Sequence, residues 1–555
     1  MTRVSTPLDD LRAAVLGVAA ELAGAPGDSS RQAITLERPP RRDFGDYSTN
    51  AALLLAPALR SAPRDVAQRL GGALAERLGV SLERFEVAGP GFLNLFLADS
   101  WLVGGLAAAL AGGERFGAGA AETRERILVE FVSANPTGPM HVGHARNAAY
   151  GDSLARVLAF HGHDVAREFY VNDAGSQVRK LGESIQALAR GEPVPEDGYR
   201  GSYVEGLAGL AGDEAMDPGE LGGAAVSAMV AQMQSSLAAF TVKDFDRWAY
   251  ESTLHEGDPS RVAHTLAILE QQGRTYLSEG ALWLRTTDYG DDKDRVLVRS
   301  NGEHTYFASD IAYHQDKRER GFDRQIDVWG ADHHGYVARM KAAYAALGGD
   351  PEQLELLIMQ LVHLVHGGAR SQMSKRAGEY VTLAELLEEI GVDAARWYLL
   401  ARSHDTTLDL DLDLAREQSN ENPVYYVQYA HARIASILLK AGAQRVAAAT
   451  AAITGQSGAG EGPSAPLDRT ERGLVEQLLE FPAALAEAAE RRAPHRIAAY
   501  ALELAQVFTA FYRDCRVVGA EPESVESLRI ALCVASRVTL ARCLELLGVA
   551  APEEM

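Results

Sequence analysis

Cysteine is scarce. The chain of 555 residues has three, Cys515, Cys533 and Cys543, all near the C-terminus. So few exclude a disulfide framework and a cysteine-built metal cluster, and they fit a reducing compartment. Net positive charge is also missing. Lys and Arg number 54 against 76 Asp and Glu, a formal charge of −22. Coating of nucleic acid through overall charge is therefore excluded. A local basic groove is not, because binding depends on where the charges sit. No run of about 18 apolar residues is available to span a bilayer. The opening MTRVSTPLDDLRAAV lacks the charged-then-apolar layout of a secretory signal. A soluble, cytoplasmic protein with no membrane partner is expected. What is present is an ordinary globular composition, long enough for three or four domains with buried cores.

Residues 1–112 read as a small α+β domain. A helix is expected over Leu8–Leu22, then a basic turn from Arg38 to Tyr47. Helical segments follow at Thr49–Leu59 and Arg64–Leu78, and strand-like runs at Phe85–Ala88 and Phe92–Leu97. From Arg126 the pattern becomes α/β. Ile127–Val132 is a buried-strand run, Asn135–Pro139 a turn, Val142–Phe160 a helix and Asp164–Val171 a second strand. This is the opening of a Rossmann-like nucleotide-binding domain over 122–390. An insertion is expected over about 175–320. The α/β pattern returns with a strand at Ile326–Trp329, a helix at Tyr336–Leu347 and an apolar run at Leu354–Val365. Residues 391–555 read as all-α, interrupted by an Ala/Gly/Ser-rich linker from Ala447 to Pro466.

The sharpest local signal is Pro139-Met140-His141-Val142-Gly143-His144, where a strand gives way to a helix. A helix N-terminus favours an anion through its dipole and first-turn N–H groups. His141 and His144, three apart, share one face of that turn. Gly143 between them leaves room for a flat ring. The place suits the phosphates and adenine of ATP, although a metal pair or a chance match would read alike. Downstream, Gln372-Met373-Ser374-Lys375-Arg376-Ala377-Gly378 is a Ser/Gly-flanked loop. Lys375 there can bring a point charge to a leaving pyrophosphate. Alone, such a loop would read as a solvated turn.

The two elements together resemble the paired markers of the class I aminoacyl-tRNA synthetases, with Gln372 standing where the loop usually has its first lysine. The finer resemblance is to the arginyl-tRNA synthetases, and it covers nearly the whole chain. It rests on Phe44-Gly45-Asp46-Tyr47-Ser48-Thr49-Asn50, on Ser133-Ala134-Asn135-Pro136-Thr137-Gly138-Pro139, and on Tyr170-Val171-Asn172-Asp173-Ala174-Gly175-Ser176-Gln177. Gly330-Ala331-Asp332-His333-His334-Gly335-Tyr336 and Val392-Asp393-Ala394-Ala395-Arg396 add to it, the latter with Ala395 in place of a leucine.

The resemblance implies an arginine–tRNA ligase. It implies ATP with Mg²⁺ as substrate complex, no permanently bound cofactor, no protein metal site, and a monomer that binds tRNA(Arg) and L-arginine. His141, Gly143, His144, Met373, Ser374, Lys375 and Arg376 are then ATP-binding, with His141, His144 and Lys375 catalytic. Tyr306 and Asp310 become guanidinium residues, joined by Asp332. Ser133, Asn135 and His144 hold the backbone end of arginine, with Glu130 as a further candidate. The physics agrees, since a guanidinium is best met by carboxylates. The run Asn422–Arg433 interleaves tyrosines with cationic groups, and tyrosines can stack on splayed bases. Tyr426, Tyr429 and Arg433 are its RNA candidates, beside Arg41 and Phe44 of the basic turn that also holds Arg38 and Arg42. Core packing is the competing reading for the tyrosines. Three alternatives stand beside this reading. A small nucleotidylyltransferase would leave the helical part unexplained. A non-catalytic RNA-binding relative fits poorly with intact His141, His144 and Lys375. A synthetase of other specificity would need zinc-binding cysteines or an editing domain that the chain lacks.

Overall fold

The computed structural model describes residues 6–24, 34–212, 216–370, 381–455 and 465–555. Its centre is a five-stranded sheet, parallel throughout. The order is Leu354–Met359, Arg324–Gly330, Arg126–Glu130, Asp164–Val171, Arg247–Tyr250. The strands buried on both faces read as continuous apolar runs, as parallel strands do. The first strand in the chain lies in the middle, and later strands add on either side. The crevice at its carboxyl end is therefore where such a sheet binds ligands. The helix Val142–His161 packs behind that crevice, and Val142, Ala145, Ala148 and Ala149 are fully buried along it.

The stretch expected to be one insertion over 175–320 is not one block. It contains the edge strand Arg247–Tyr250 and the helix Tyr306–Glu319, both part of the catalytic layer. Only its two ends stand apart. The first is the helix pair Ser176–Ala189 and Pro218–Ala239. There Gly182 crosses so closely that a Cβ would lie 1.8 Å from the Pro218 carbonyl oxygen. The second is an antiparallel sheet of Thr275–Ser278, Ala281–Leu284 and Arg295–Val298. The run Leu354–Val365 is two strands, because the chain breaks at Gln360 and Leu361. Their carbonyls accept from the buried Arg146 at 2.8 and 3.4 Å.

The part beyond residue 391 is helical except for the short strand Leu408–Asp411, which pairs with Val362–His366. The expected linker is helix over much of its length. Ala443–Gly455 is α-helical, with Ala449 and Ile453 buried against the long helix Glu523–Leu547. Alanine is the best helix former, and here it meets an apolar face. Residues 456–464 lie outside the described residues.

Two sequence markers prove to be joints. Arg396 is fully buried. It donates to Asp152 at 2.7 Å, to the Leu547 carbonyl at 2.7 Å and to the Phe240 carbonyl at 3.1 Å. Its partner Asp393 accepts from Gln428 and from the Ala550 amide. At the other end, Gly45 has φ +97°, and a Cβ there would press on the Leu95 carbonyl at 2.6 Å. This tight turn aims Asp46 at Arg472, at 2.9 and 3.0 Å, and Tyr47 at Glu480. The N-terminal part is thereby bonded to the C-terminal helices. Arg396→Ala is expected to cost about 2–4 kcal/mol, since it strands the Leu547 and Phe240 carbonyls in the core and leaves the buried Asp152 with Arg156 as its remaining close guanidinium partner. A urea unfolding midpoint close to wild type would contradict this.

Candidate active site

At the end of the central strand the backbone kinks. Val132 has φ 69° and Ser133 φ 40°, a left-handed conformation that costs non-glycine residues about 1–3 kcal/mol each. Asn147, on the following helix, holds the kink. Its Oδ1 accepts from the Val132 amide at 2.7 Å, and its Nδ2 donates to the Val328 carbonyl at 2.8 Å. Such strain, held in place from outside, points to a functional turn.

Eight residues after Ser133, His141 caps the helix. Its Nδ1 accepts from the Gly143 amide at 3.1 Å, while its own amide donates to His144 Nδ1 at 3.3 Å. The two rings stack with centroids 3.7 Å apart and planes 18° apart. A Cβ on Gly143 would lie 2.9 Å from the His141 ring, so glycine is what lets the rings stack. One sequence expectation is revised here. The Val142 amide already donates to the Val381 carbonyl at 3.2 Å, and the Gly143 amide to His141. What faces an anion is the helix dipole and the two imidazoles, not the first two N–H groups.

Beside this cradle lies an acidic slot. Asp310, half-buried on the helix Tyr306–Glu319, accepts from the Tyr336 hydroxyl at 2.5 Å. Burial raises the Asp310 carboxyl above its usual range, while the Tyr336 hydroxyl and nearby His314 pull it back. Glu251 is buried directly after the edge strand. Burial, then the like charge of Asp310, pushes it up to about 7. The Tyr170 hydroxyl bonds to it. Tyr306 stands 56% exposed at the mouth, its hydroxyl 3.5 Å from where a Cβ on Gly175 would be. Two carboxylates and three phenols thus line one opening at the carboxyl ends of the strands. The combination offers carboxylates and flat rings, as a planar cation requires, with Arg339 over the Tyr336 ring at 4.8 Å.

The expected residues divide. His141, Gly143 and His144 come together, as do Tyr306 and Asp310. Asp332 does not join them. The strand ends at Gly330, and the following turn leaves 84% of the Asp332 side chain exposed beside His333. The acid electrostatically coupled to Asp310 is Glu251, which sequence reading missed along with Tyr170 and Tyr336. Glu130 is turned inward. One of its oxygens accepts from Ser133 Oγ at 2.7 Å and the other from the buried Lys317. Ser133 Oγ also accepts from the Tyr170 amide, so both residues shape the site from beneath. Asn135 is exposed at the turn. Met373, Ser374, Lys375 and Arg376 lie outside the described residues. The chain resumes against the cradle: Thr382 bridges to His141, and the Leu383 amide donates to the Met140 carbonyl at 2.8 Å. Among the described residues, no group of three or more His, Cys, Asp or Glu is placed to hold a metal.

On the helix Pro423–Ala441 the spacing of four sets one stripe of half-buried side chains, with the exposed Tyr512 beside it. Tyr425 and Tyr429 stack with ring centroids 6.0 Å apart, and Arg433 lies over Tyr429 at 4.6 Å and over Tyr512 at 5.3 Å. Tyr426 sits about 100° round the helix and packs against the core, so Tyr425 takes its place in the stripe. In the N-terminal turn, Arg41 pairs with Asp43 and lies over the exposed Phe44 at 5.4 Å. Arg38 is spent on Glu476 and Gln477 of the helical part. The expected basic patch is smaller for that.

Comparison with known proteins agrees along the whole chain. Family models match as the arginyl tRNA synthetase N-terminal domain over residues 10–97, and the catalytic domain of class I (R) tRNA synthetases over 106–192 and 226–435. The DALR anticodon binding domain matches over 427–555. The arginine–tRNA ligase of Desulforudis audaxviator is 48% identical over 541 residues, 94% of this chain and 93% of that protein. That of Geobacillus kaustophilus is 45% identical over 539 residues, 94% of each. The Thermus thermophilus arginyl-tRNA synthetase structure superposes with a TM-score of 0.76 at 26% identity, covering 98% of this chain and 99% of that one.

Proposed function

We propose a division of labour within the site, from the premise that this chain belongs to the arginyl-tRNA synthetase family and is an ATP-dependent arginine–tRNA ligase. The observation that carries the reading is the Glu251–Asp310 slot beside the stacked His141 and His144. Arginine enters with its guanidinium against the two carboxylates and its carboxylate turned toward the cradle. Mg²⁺·ATP is the substrate complex. The arginine carboxylate oxygen attacks the α-phosphorus, a new O–P bond forms, and the bond to the bridging oxygen breaks as pyrophosphate leaves. The nucleophile is already an anion, so no side-chain base is needed. Catalysis is alignment and charge neutralisation. His141 and His144 donate to the phosphates, and Lys375 with Arg376 meets the pyrophosphate. In the second step the terminal ribose hydroxyl of tRNA(Arg) attacks the adenylate and AMP leaves.

In this reading residues 122–390 do the chemistry. Residues 391–555 bind the anticodon, with Tyr425, Tyr429, Arg433 and Tyr512 as stacking surface. Residues 1–112 touch the tRNA through Arg41 and Phe44. All these faces lie on one chain, which supports a working monomer, and we place it in the cytoplasm with other protein-synthesis enzymes. Arginine-dependent pyrophosphate exchange, run with and without tRNA(Arg), is the decisive assay. Exchange with another amino acid, or none, would overturn the reading.

The slot predicts a pH profile. Glu251 is held up to about 7, first by burial and then by Asp310, so part of it is protonated at neutral pH. A guanidinium favours the ionised form, and binding expels the proton. The arginine KM should therefore fall as pH rises from 6 to 8, by up to about tenfold per unit below 7. Glu251→Gln should flatten that profile. A wild-type KM that is flat over this window would contradict it.

A further inference from the structure

Beneath the slot a chain of buried polar groups joins three strands to one helix. Lys317, fully buried, donates to Asp327 Oδ1 at 2.7 Å and to Glu130. His314, on the same helix and 3% exposed, makes two ring contacts of 2.8 Å. One is from Nε2 to Asp327 Oδ2 and the other from Nδ1 to the Asp310 carbonyl oxygen. A backbone carbonyl only accepts. An ionised carboxylate only accepts. Burial alone would raise Asp327, but the Lys317 ammonium bonded to its other oxygen pulls the carboxyl down and keeps it an acceptor. Both ring nitrogens of His314 therefore face acceptors, and only a ring with hydrogen on each satisfies both. A neutral imidazole has one hydrogen to give and would leave a lone pair against an acceptor in the core.

We propose that His314 is a positioning residue for arginine recognition, a buried imidazolium that ties Asp310 to Asp327 and keeps the Asp310 carboxylate ionised and aimed into the slot. The groups facing it are known from every side. Asp310 and Lys317 share its helix. Asp327 comes from one strand and Tyr313, its ring 5.8 Å away, from the same helix; Glu130 and Glu168 act on Lys317, and His333 and Tyr336 on Asp310. The Trp329 ring lies edge-on to it, with centroids 6.4 Å apart. The proposal deepens the reading that Asp310 receives the guanidinium, and it rests on that reading.

The test begins with the unmodified protein. The full chain, labelled with ¹⁵N in its 15 histidine rings, is followed by NMR to about pH 8.5, where an ordinary histidine is neutral. One ring with both nitrogens protonated is expected to persist. If none does, the proposal is overturned without any variant. The persisting signal must vanish in His314→Gln; its survival there assigns it to another histidine and equally overturns the proposal. Should His314→Gln fail to fold, Asp327→Asn keeps the ring and removes the carboxylate, and the same ring must turn neutral. Kinetics supplies the coupling. In His314→Gln the arginine KM should rise about tenfold while the ATP KM stays within about twofold. The ratio of variant to wild-type arginine KM should grow as pH falls from 8.5 to 6.5, because Asp310, having lost its cation, protonates more readily. A ratio independent of pH would reduce His314 to a packing residue. Failure of the slot itself reads differently: Asp310→Asn would leave the arginine KM unchanged, while the NMR state of His314 would not depend on it.

Discussion

Asp310→Asn will raise the arginine KM by about 100- to 1,000-fold and leave the ATP KM within about twofold. The substitution is nearly isosteric. The amide oxygen can still accept from the Tyr336 hydroxyl that now bonds Asp310 at 2.5 Å, so the helix turn has no reason to move. What changes is the face offered to arginine. A guanidinium is all donors, and the new NH₂ is a donor too. One charge-assisted contact becomes a clash of hydrogens, and Glu251 is left to hold the cation alone. Truncating one partner of a buried charge pair costs about 2–5 kcal/mol, which brackets the range above. Asp332→Asn is the built-in control. Its side chain is 84% exposed, and its substitution should leave the arginine KM unchanged. A similar effect from both variants would move the guanidinium out of the slot.

The contrast between these two aspartates shows where sequence reading reaches its limit. The cradle is local. A strand, a turn and a capped helix lie within residues 126–161, and the functional atoms sit on adjacent turns, so the motif and its geometry are one fact. The acidic slot is assembled from four separated stretches, at Tyr170, Glu251, Tyr306–Asp310 and Tyr336. Asp310 could be named with Tyr306 because the resemblance implies both, and their spacing of four fits one helix face. Its partner Glu251 follows a strand of four residues, Arg247–Tyr250, inside an Ala/Gly-rich region that otherwise reads as insertion. Nothing local says that this edge strand returns to the sheet. Asp332 comes from the resemblance alone, near the position where relatives carry a glutamine, and the turn from Ala331 to Tyr336 carries it outward. The joints were hidden for the same reason. Asp46 meets Arg472 and Tyr47 meets Glu480 across more than 400 residues, so the N-terminal motif looked like a contact for RNA when much of it is a contact between parts of the protein. On the tyrosine-rich helix the chemistry was legible but the face was not. Only the spacing of 425, 429 and 433 against the core separates Tyr425 from Tyr426.

Lys375→Ala should lower the rate of arginine-dependent pyrophosphate exchange by about 10²- to 10³-fold, with the arginine KM within about twofold of wild type. Lys375 lies outside the described residues, and its assignment comes from the run Gln372-Met373-Ser374-Lys375-Arg376. What supports it is the anchoring of the chain six residues on. The Val381 carbonyl accepts from the Val142 amide at 3.2 Å and Thr382 bridges to His141, so this end is fixed to the turn that carries both imidazoles. In the proposed reaction, charge builds on the bridging oxygen and the departing pyrophosphate only as the bond to the α-phosphorus breaks. A cation that meets that charge stabilises the transition state more than the bound substrates, and its loss appears in kcat. Because Gln372 stands where related loops carry a first lysine, fewer positive charges share the task. Removal of Lys375 should then be felt nearly in full, and Arg376→Ala should cost far less. Equal losses in rate and in arginine affinity would mean that Lys375 holds the amino acid, and the division between cradle and slot would have to be redrawn.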